Sequence, residues 1–104
     1  MSVVFVYVTA GGPAEADAIG RAVVDERLAA CANIFPGMTS IYRWQGKMEE
    51  ASESALILKT KAELIEALTA RIKALHSYEC PCVVALPVAG GNSAFLDWIH
   101  DETG

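Results

Sequence analysis

Near its start the chain carries a run of β-branched and aromatic residues, Val3-Val4-Phe5-Val6-Tyr7-Val8, which predicts a buried strand. Thr9-Ala10-Gly11-Gly12-Pro13 is expected to break it. Pro13 suits the first position of a helix, and Glu15 and Asp17 are placed in its first turn, where the helix dipole favours negative charge. Ile19, Ala22, Val23, Val24 and Leu28 keep helical spacing, so this helix is predicted to run to about Ala30. Gly20 inside it costs about 1 kcal/mol against Ala, which implies close packing on a sheet.

A second strand is expected from Cys31 to Trp44, interrupted at Pro36-Gly37. Within it Ser40, Tyr42 and Trp44 share one face, and Thr39, Ile41 and Arg43 share the other. Gln45-Gly46-Lys47 reads as the turn of a hairpin, with Glu49, Glu50 and Glu53 marking its exposed part. The third strand is predicted over Ala55–Lys59. Thr60 and Glu63 have the spacing of a capping box, ahead of an apolar helical stripe of Leu64, Ile65, Leu68, Ile72 and Leu75. That helix ends near His76. A loop, His76 to Cys82, leads to a fourth strand, Val83 to Val88. Gly90-Gly91-Asn92-Ser93 then opens a short helix carrying Phe95, Leu96, Trp98 and Ile99.

The predicted order is β-α-β-β-α-β with a terminal helix, an α+β split β-α-β pattern of the ferredoxin-like kind. The 104 residues fit a single domain, residues 1–104. Tyr42 and Trp44 on a long hairpin leave apolar surface and open sheet edges for a partner to cover, so a closed oligomer is expected.

Composition narrows the function. The net charge is −5, whereas a nucleic-acid surface needs clustered Lys and Arg, so nucleic acid is an unexpected partner. The opening apolar run is far shorter than the roughly 20 residues of a membrane span, and no basic segment or cleavage site precedes it. Three cysteines, Cys31, Cys80 and Cys82, leave one over in any disulfide scheme. A reduced, cytoplasmic protein without membrane attachment is therefore expected.

Several segments carry a resemblance. They are Val24 to Ile34 (VDERLAACANI), Pro36 to Lys47 (PGMTSIYRWQGK) and Leu58-Lys59-Thr60-Lys61, followed by His76-Ser77-Tyr78 with Pro81, then Gly91-Asn92 and Leu96-Asp97-Trp98-Ile99. Each is weak alone, but in this order and spacing they resemble the CutA divalent-cation tolerance family over nearly the whole chain. The resemblance implies a homotrimer, with clefts between subunits and a link to copper binding, and no catalytic activity. The copper ligands of a bacterial relative resemble a first-strand Cys and two adjacent His. Of these only His76 is matched here, the others falling on Leu75 and about Val8.

The chain's own candidates for a metal are His76 and Cys82, within an H-x3-C-x-C cluster that also holds Cys80. Thiolates and an imidazole suit copper or another soft cation. Against this, Cys80 can serve as a small apolar filler and His76 as a cap on the helix's last carbonyls. No resident cofactor is implied with certainty. For an intersubunit cleft the candidates are Cys31 as a thiol, Lys59 toward an anion, Tyr42, Trp44, Tyr78 and Trp98 as aromatic walls, and Glu79 for proton transfer. The competing reading is packing for the aromatics and Cys31, and solvation for Glu79. Two functions follow: a trimeric metal-binding or metal-response protein, or a small-ligand sensor resembling the nitrogen-regulatory signalling proteins. An acylphosphatase-like enzyme is disfavoured, because Thr9-Ala10-Gly11-Gly12 holds no Arg for phosphate, and a soft-metal chaperone would need M-x-C-x-x-C there.

Overall fold

The computed structural model describes residues 2–104. Its elements are β1 (Val3–Ala10), α1 (Pro13–Asp25), β2 (Cys31–Trp44), β3 (Lys47–Lys61), α2 (Ile65–Leu75), β4 (Val83–Pro87) and α3 (Ser93–Asp101), with a 3-10 turn Ala62–Leu64 leading into α2. The sheet order is β2-β3-β1-β4 and every neighbouring pair is antiparallel. This is the ferredoxin-like arrangement, an α+β fold, as the element order predicts.

One face of the sheet makes the core. Val4, Val6, Val8 and Ala10 of β1 and Leu56 and Leu58 of β3 meet Ala16, Ile19 and Val23 of α1 and Leu68 and Ile72 of α2. Burying each Leu or Ile contributes about 1.5–3 kcal/mol. Gly20 lets α1 settle onto the sheet: a Cβ there would lie 3.2 Å from Cβ of Ala32 and 3.5 Å from side-chain carbons of Ile34 and Leu56. The odd residues of β1, Phe5, Tyr7 and Thr9, face the other way. That second face is largely uncovered. Phe35, Val84 and Leu86 are each about half exposed on it. α3 closes only one end, where Lys59 Nζ lies over the rings of both Phe5 and Phe95.

Five boundaries differ from the sequence reading. β1 does not break at Thr9 but pairs through Ala10 with Ser54 of β3. Asp17 stands past the first turn of α1, where it pairs with Arg21 at 2.8 Å. α1 stops at Asp25 rather than near Ala30, because Arg27 turns into the left-handed region at φ 62°. The amide of Leu28 then reaches back to Val23 O and that of Arg27 to Val24 O, the paired bonds of a Schellman end with Arg where Gly is usual.

β3 is three times its predicted length, fifteen residues from Lys47, so Glu49, Glu50 and Glu53 are strand residues paired with β2. Finally, Thr60 and Glu63 form no capping box. Thr60 is fully buried as a strand residue, its hydroxyl donating to Leu28 O at 2.7 Å, and α2 starts without a side-chain cap. Pro36-Gly37 interrupts β2 only as a bulge, between Phe35 and Met38, and the buried Ser54 hydroxyl donates to the Pro36 carbonyl there. Gln45 and Gly46, both with positive φ, turn the hairpin. Its projection stretches the molecule to 44 × 25 × 22 Å.

Candidate functional site

The loop between α2 and β4 folds back against the C-terminal end of β1, and three hydrogen-bonded side chains hold it there. His76, whose side chain is fully buried, donates from Nε2 to Thr9 O at 2.7 Å and accepts the Tyr78 amide on Nδ1 at 3.0 Å. Both ring nitrogens are therefore engaged. His76 thus binds a β1 carbonyl rather than the last carbonyls of α2.

Glu15, in the first turn of α1, accepts the Gly11 amide at 2.9 Å and the Ser77 amide at 2.7 Å. Burial pushes its carboxyl up, but those hydrogen bonds and nearby His76 outweigh it and leave the group below its ordinary range. Tyr78 stacks obliquely on His76, with ring centroids 4.7 Å apart, and its hydroxyl donates to Glu53 of β3 at 2.8 Å. Burial and then Glu53 push the phenol up to about 12.

These contacts shape a cleft of about 890 Å³ between the hairpin and the loop. Ser40, Tyr42 and Trp44 of β2 supply one wall, confirming that they share a face. Glu53 and Thr9 form the floor side, and Tyr78, Glu79, Cys80 and Cys82 the loop side. Both thiols of the loop border this same cleft. Cys80 is exposed, not a buried filler, and Cys82 is partly buried. Burial raises the Cys82 thiol, Glu53 raises it further, and hydrogen bonding from Thr9 opposes both.

The cleft thus gathers Tyr42, Trp44, Tyr78, Glu79 and Cys82 from the sequence candidates, with His76 directly behind Tyr78. The others lie elsewhere. Cys31 borders a shallow groove between α1 and β2. Lys59 is held between Phe5 and Phe95, and Trp98 stacks on Phe95 at 5.6 Å. Glu79 is exposed, as its solvated reading implies. Glu15 and Glu53 were missed as site residues. Their one sequence signal is a carboxylate isolated among small residues, Ala14 and Ala16 or Ser52 and Ser54, which also fits plain solvation. Among the described residues no three His, Cys, Asp or Glu side chains gather as a metal-holding group, and no helix is long and apolar enough to cross a membrane.

Comparison with known proteins fixes the family. Residues 4–102 match the family described as CutA1 divalent ion tolerance protein. The divalent-cation tolerance protein CutA of Thermus thermophilus is 50% identical over 99 residues, covering 95% of this chain and 96% of that protein. Protein CutA of Mus musculus is 47% identical over 98% of this chain, which spans 58% of the mouse protein. A solved structure of the divalent cation tolerance protein from Thermus thermophilus superposes with a TM-score of 0.96 at 48% identity, covering 98% of this chain and 99% of that one. CutA1 from Oryza sativa gives a TM-score of 0.97 at 40% identity, covering 100% and 95%. With a family match over nearly its whole length and relatives of such identity, this chain belongs to the CutA1 divalent ion tolerance protein family.

Proposed function

We propose that this chain acts in the cytoplasm as a homotrimeric metal-response protein that takes a soft metal ion, copper foremost, into the cleft beside Cys82, and so contributes to the divalent-cation tolerance for which its relatives are named. The observation that carries the trimer is the uncovered sheet face. Trp44 is 58% exposed, and Phe35, Val84 and Leu86 stand about half exposed beside two unpaired edge strands, β2 and β4. A monomer would leave this surface in water, and packing it against further copies of the chain removes both the apolar patch and the edges. The free thiols of Cys31, Cys80 and Cys82 support a reducing compartment.

For the metal, the donors favour the softest cations. His76 has no free ring nitrogen unless it releases Thr9 or Tyr78, so Cys80 is the nearer companion for Cys82. Two sulfurs are too few for tetrahedral zinc but suit copper(I). Native mass spectrometry of protein kept reduced and titrated with copper(I) tests both parts. A trimer holding about one copper per subunit, reduced in Cys82→Ser and less so in His76→Gln, is expected. A monomer, or loading unchanged by Cys82→Ser, overturns the corresponding part.

A second reading, a small-ligand sensor, is favoured by the size of the cleft, which falls in the range of small-molecule sites. Its charge argues against a nucleotide. Among the described residues lining it none is a Lys, Arg or His, so phosphates would find no partner.

A further inference from the structure

The loop between α2 and β4 holds two thiols separated by a single proline, Cys80-Pro81-Cys82. Both border one cleft, Cys80 exposed and Cys82 partly buried, and neither is in a disulfide. Two residues apart, their Cα atoms are separated by at most about 7 Å, and a disulfide takes Cα atoms about 4.4–6.8 Å apart. The spacing therefore admits a bond between them with little movement of the backbone.

The third cysteine is placed otherwise. Cys31 begins β2 at one edge of the sheet, whereas Cys82 leads into β4 at the other, with β3 and β1 between them. Three strand spacings make about 14 Å, twice what a disulfide spans. The register adds to this, since Cys31 lies level with Phe5 and Cys82 just beyond the pairing of Val83 with Val8. Cys31 borders a different groove, between α1 and β2. The intrachain pair is therefore Cys80 with Cys82.

The two sulfurs also differ in a way that divides the chemistry. Cys80 stands open to a reagent, while Cys82 is shielded, its thiol kept protonated by burial and then by Glu53. An external disulfide meets Cys80 first.

We propose that Cys80 and Cys82 form a reversible dithiol–disulfide site whose co-reactant is a low-molecular-weight disulfide. The Cys80 thiolate attacks one sulfur of that disulfide, forming a mixed disulfide and releasing one small thiolate. Cys82 then loses its proton to solvent and attacks the Cys80 sulfur, releasing the second small thiolate and closing the ring. The chain gives up two electrons and two protons, and the small disulfide becomes two thiols. Excess small thiol runs the steps backwards. An exposed bond across so short a loop is of the labile kind, which in a reducing compartment serves sensing rather than holding a fold together. No guest has to lodge against Tyr42 or Trp44, so the reaction stands with the hairpin covered by further copies of the chain. The bond also occupies both sulfurs assigned to copper(I), so oxidation is expected to close that site; this consequence alone rests on the copper reading.

The test holds the full chain in glutathione buffers from fully reduced to fully oxidised, quenches it in acid, labels it with N-ethylmaleimide and weighs it intact. Oxidation is expected to remove about 2 Da per chain and to cut labelling from three cysteines to one, Cys31, with full return in reduced glutathione. Cys82→Ser should stop at a glutathione adduct on Cys80, because the resolving thiol is gone. Cys80→Ser should react roughly tenfold more slowly or less. Three labels at the oxidising end, a parent chain that stops at the adduct, or chains cross-linked to one another overturns the proposal. Copper(I) titration of the oxidised and re-reduced samples separates it from the metal reading. Loading that falls roughly fivefold or more on oxidation supports both. A disulfide that leaves loading unchanged keeps the redox site and overturns copper at these sulfurs; normal loading without any disulfide does the reverse.

Discussion

The hydroxyl of Tyr78 donates to Oε2 of Glu53 at 2.8 Å and so ties the loop after α2 to the middle of β3. Burial, then this carboxylate, raises the phenol to about 12. A raised acid keeps its proton more firmly in the fold than in the open chain. The contact therefore contributes fully below the ordinary tyrosine value of about 10, and is lost as pH climbs through about 12. In an ultraviolet tyrosinate titration, one of the three tyrosines should ionise late. Tyr78→Phe is expected to remove that late step and to shallow the alkaline loss of stability. If the late step persists in the variant, the assignment to Tyr78 fails.

Glu15 does the corresponding work at acid pH. Its carboxylate holds the amides of Gly11 and Ser77, the second 62 residues away in sequence. Because its pKa is lowered in the fold, its contribution is present above the ordinary carboxylate range and disappears as pH falls through the depressed value. Hydrogen bonds to a charged group are worth about 1.5–3 kcal/mol each, so Glu15→Ala is expected to cost roughly 2–3 kcal/mol at neutral pH. Urea unfolding across a pH series checks this. Glu15→Gln should flatten the acid limb of the stability curve, and hydrogen exchange at the Ser77 amide should accelerate. An acid limb identical to that of the parent chain would sink the account.

How much of this was legible in the sequence depends on which force decided each element. Strand and helix identities were readable because apolar periodicity and burial coincide, as at Val4, Val6 and Val8, or Leu68 and Ile72. The length of β3 was not. Its first half, Lys47 to Glu53, is polar and exposed, and only pairing with β2 makes it a strand. Thr60 misled for a different reason. A Thr three residues before a Glu satisfies the capping pattern, yet here the hydroxyl meets a carbonyl from the end of α1, a tertiary partner no local spacing announces. The cleft was half legible. Its aromatic wall follows from strand alternation, whereas Glu15 and Glu53 act through residues distant in sequence.

Gly20 tests the packing argument directly. Replacing it by Ala gains up to about 1 kcal/mol of helix propensity. The new Cβ, however, would stand 3.2 Å from Ala32 Cβ. Overpacking of this kind costs roughly 1–3 kcal/mol, so a net loss of about 1 kcal/mol is expected. In a domain of this size that lowers Tm by roughly 4–8 °C. Adding Ala32→Gly should recover part of the loss by opening the facing position. A Gly20→Ala variant as stable as the parent would mean that β2 yields to α1 without cost.

The two thiols beside the cleft should differ in reactivity, and the difference reports on Glu53. The thiolate is the attacking form, so a thiol that is harder to ionise reacts more slowly at neutral pH. Cys80 is exposed, while Cys82 is partly buried and pushed up first by burial and then by Glu53, against hydrogen bonding from Thr9. In single-cysteine chains carrying Cys80 or Cys82 alone, iodoacetamide followed by mass spectrometry should therefore modify Cys80 first. Glu53→Gln removes one of the two raising causes and should speed Cys82 without changing the exposure of Cys80. Raising the pH above the ordinary thiol range should narrow the gap, because ionisation then ceases to limit Cys82 and only its partial burial remains. If Cys82 reacts as fast as Cys80 and ignores Glu53, the carboxylate does not govern that thiol. The same result would remove the electrostatic reason for expecting a bound cation, rather than free thiolate chemistry, beside Cys82.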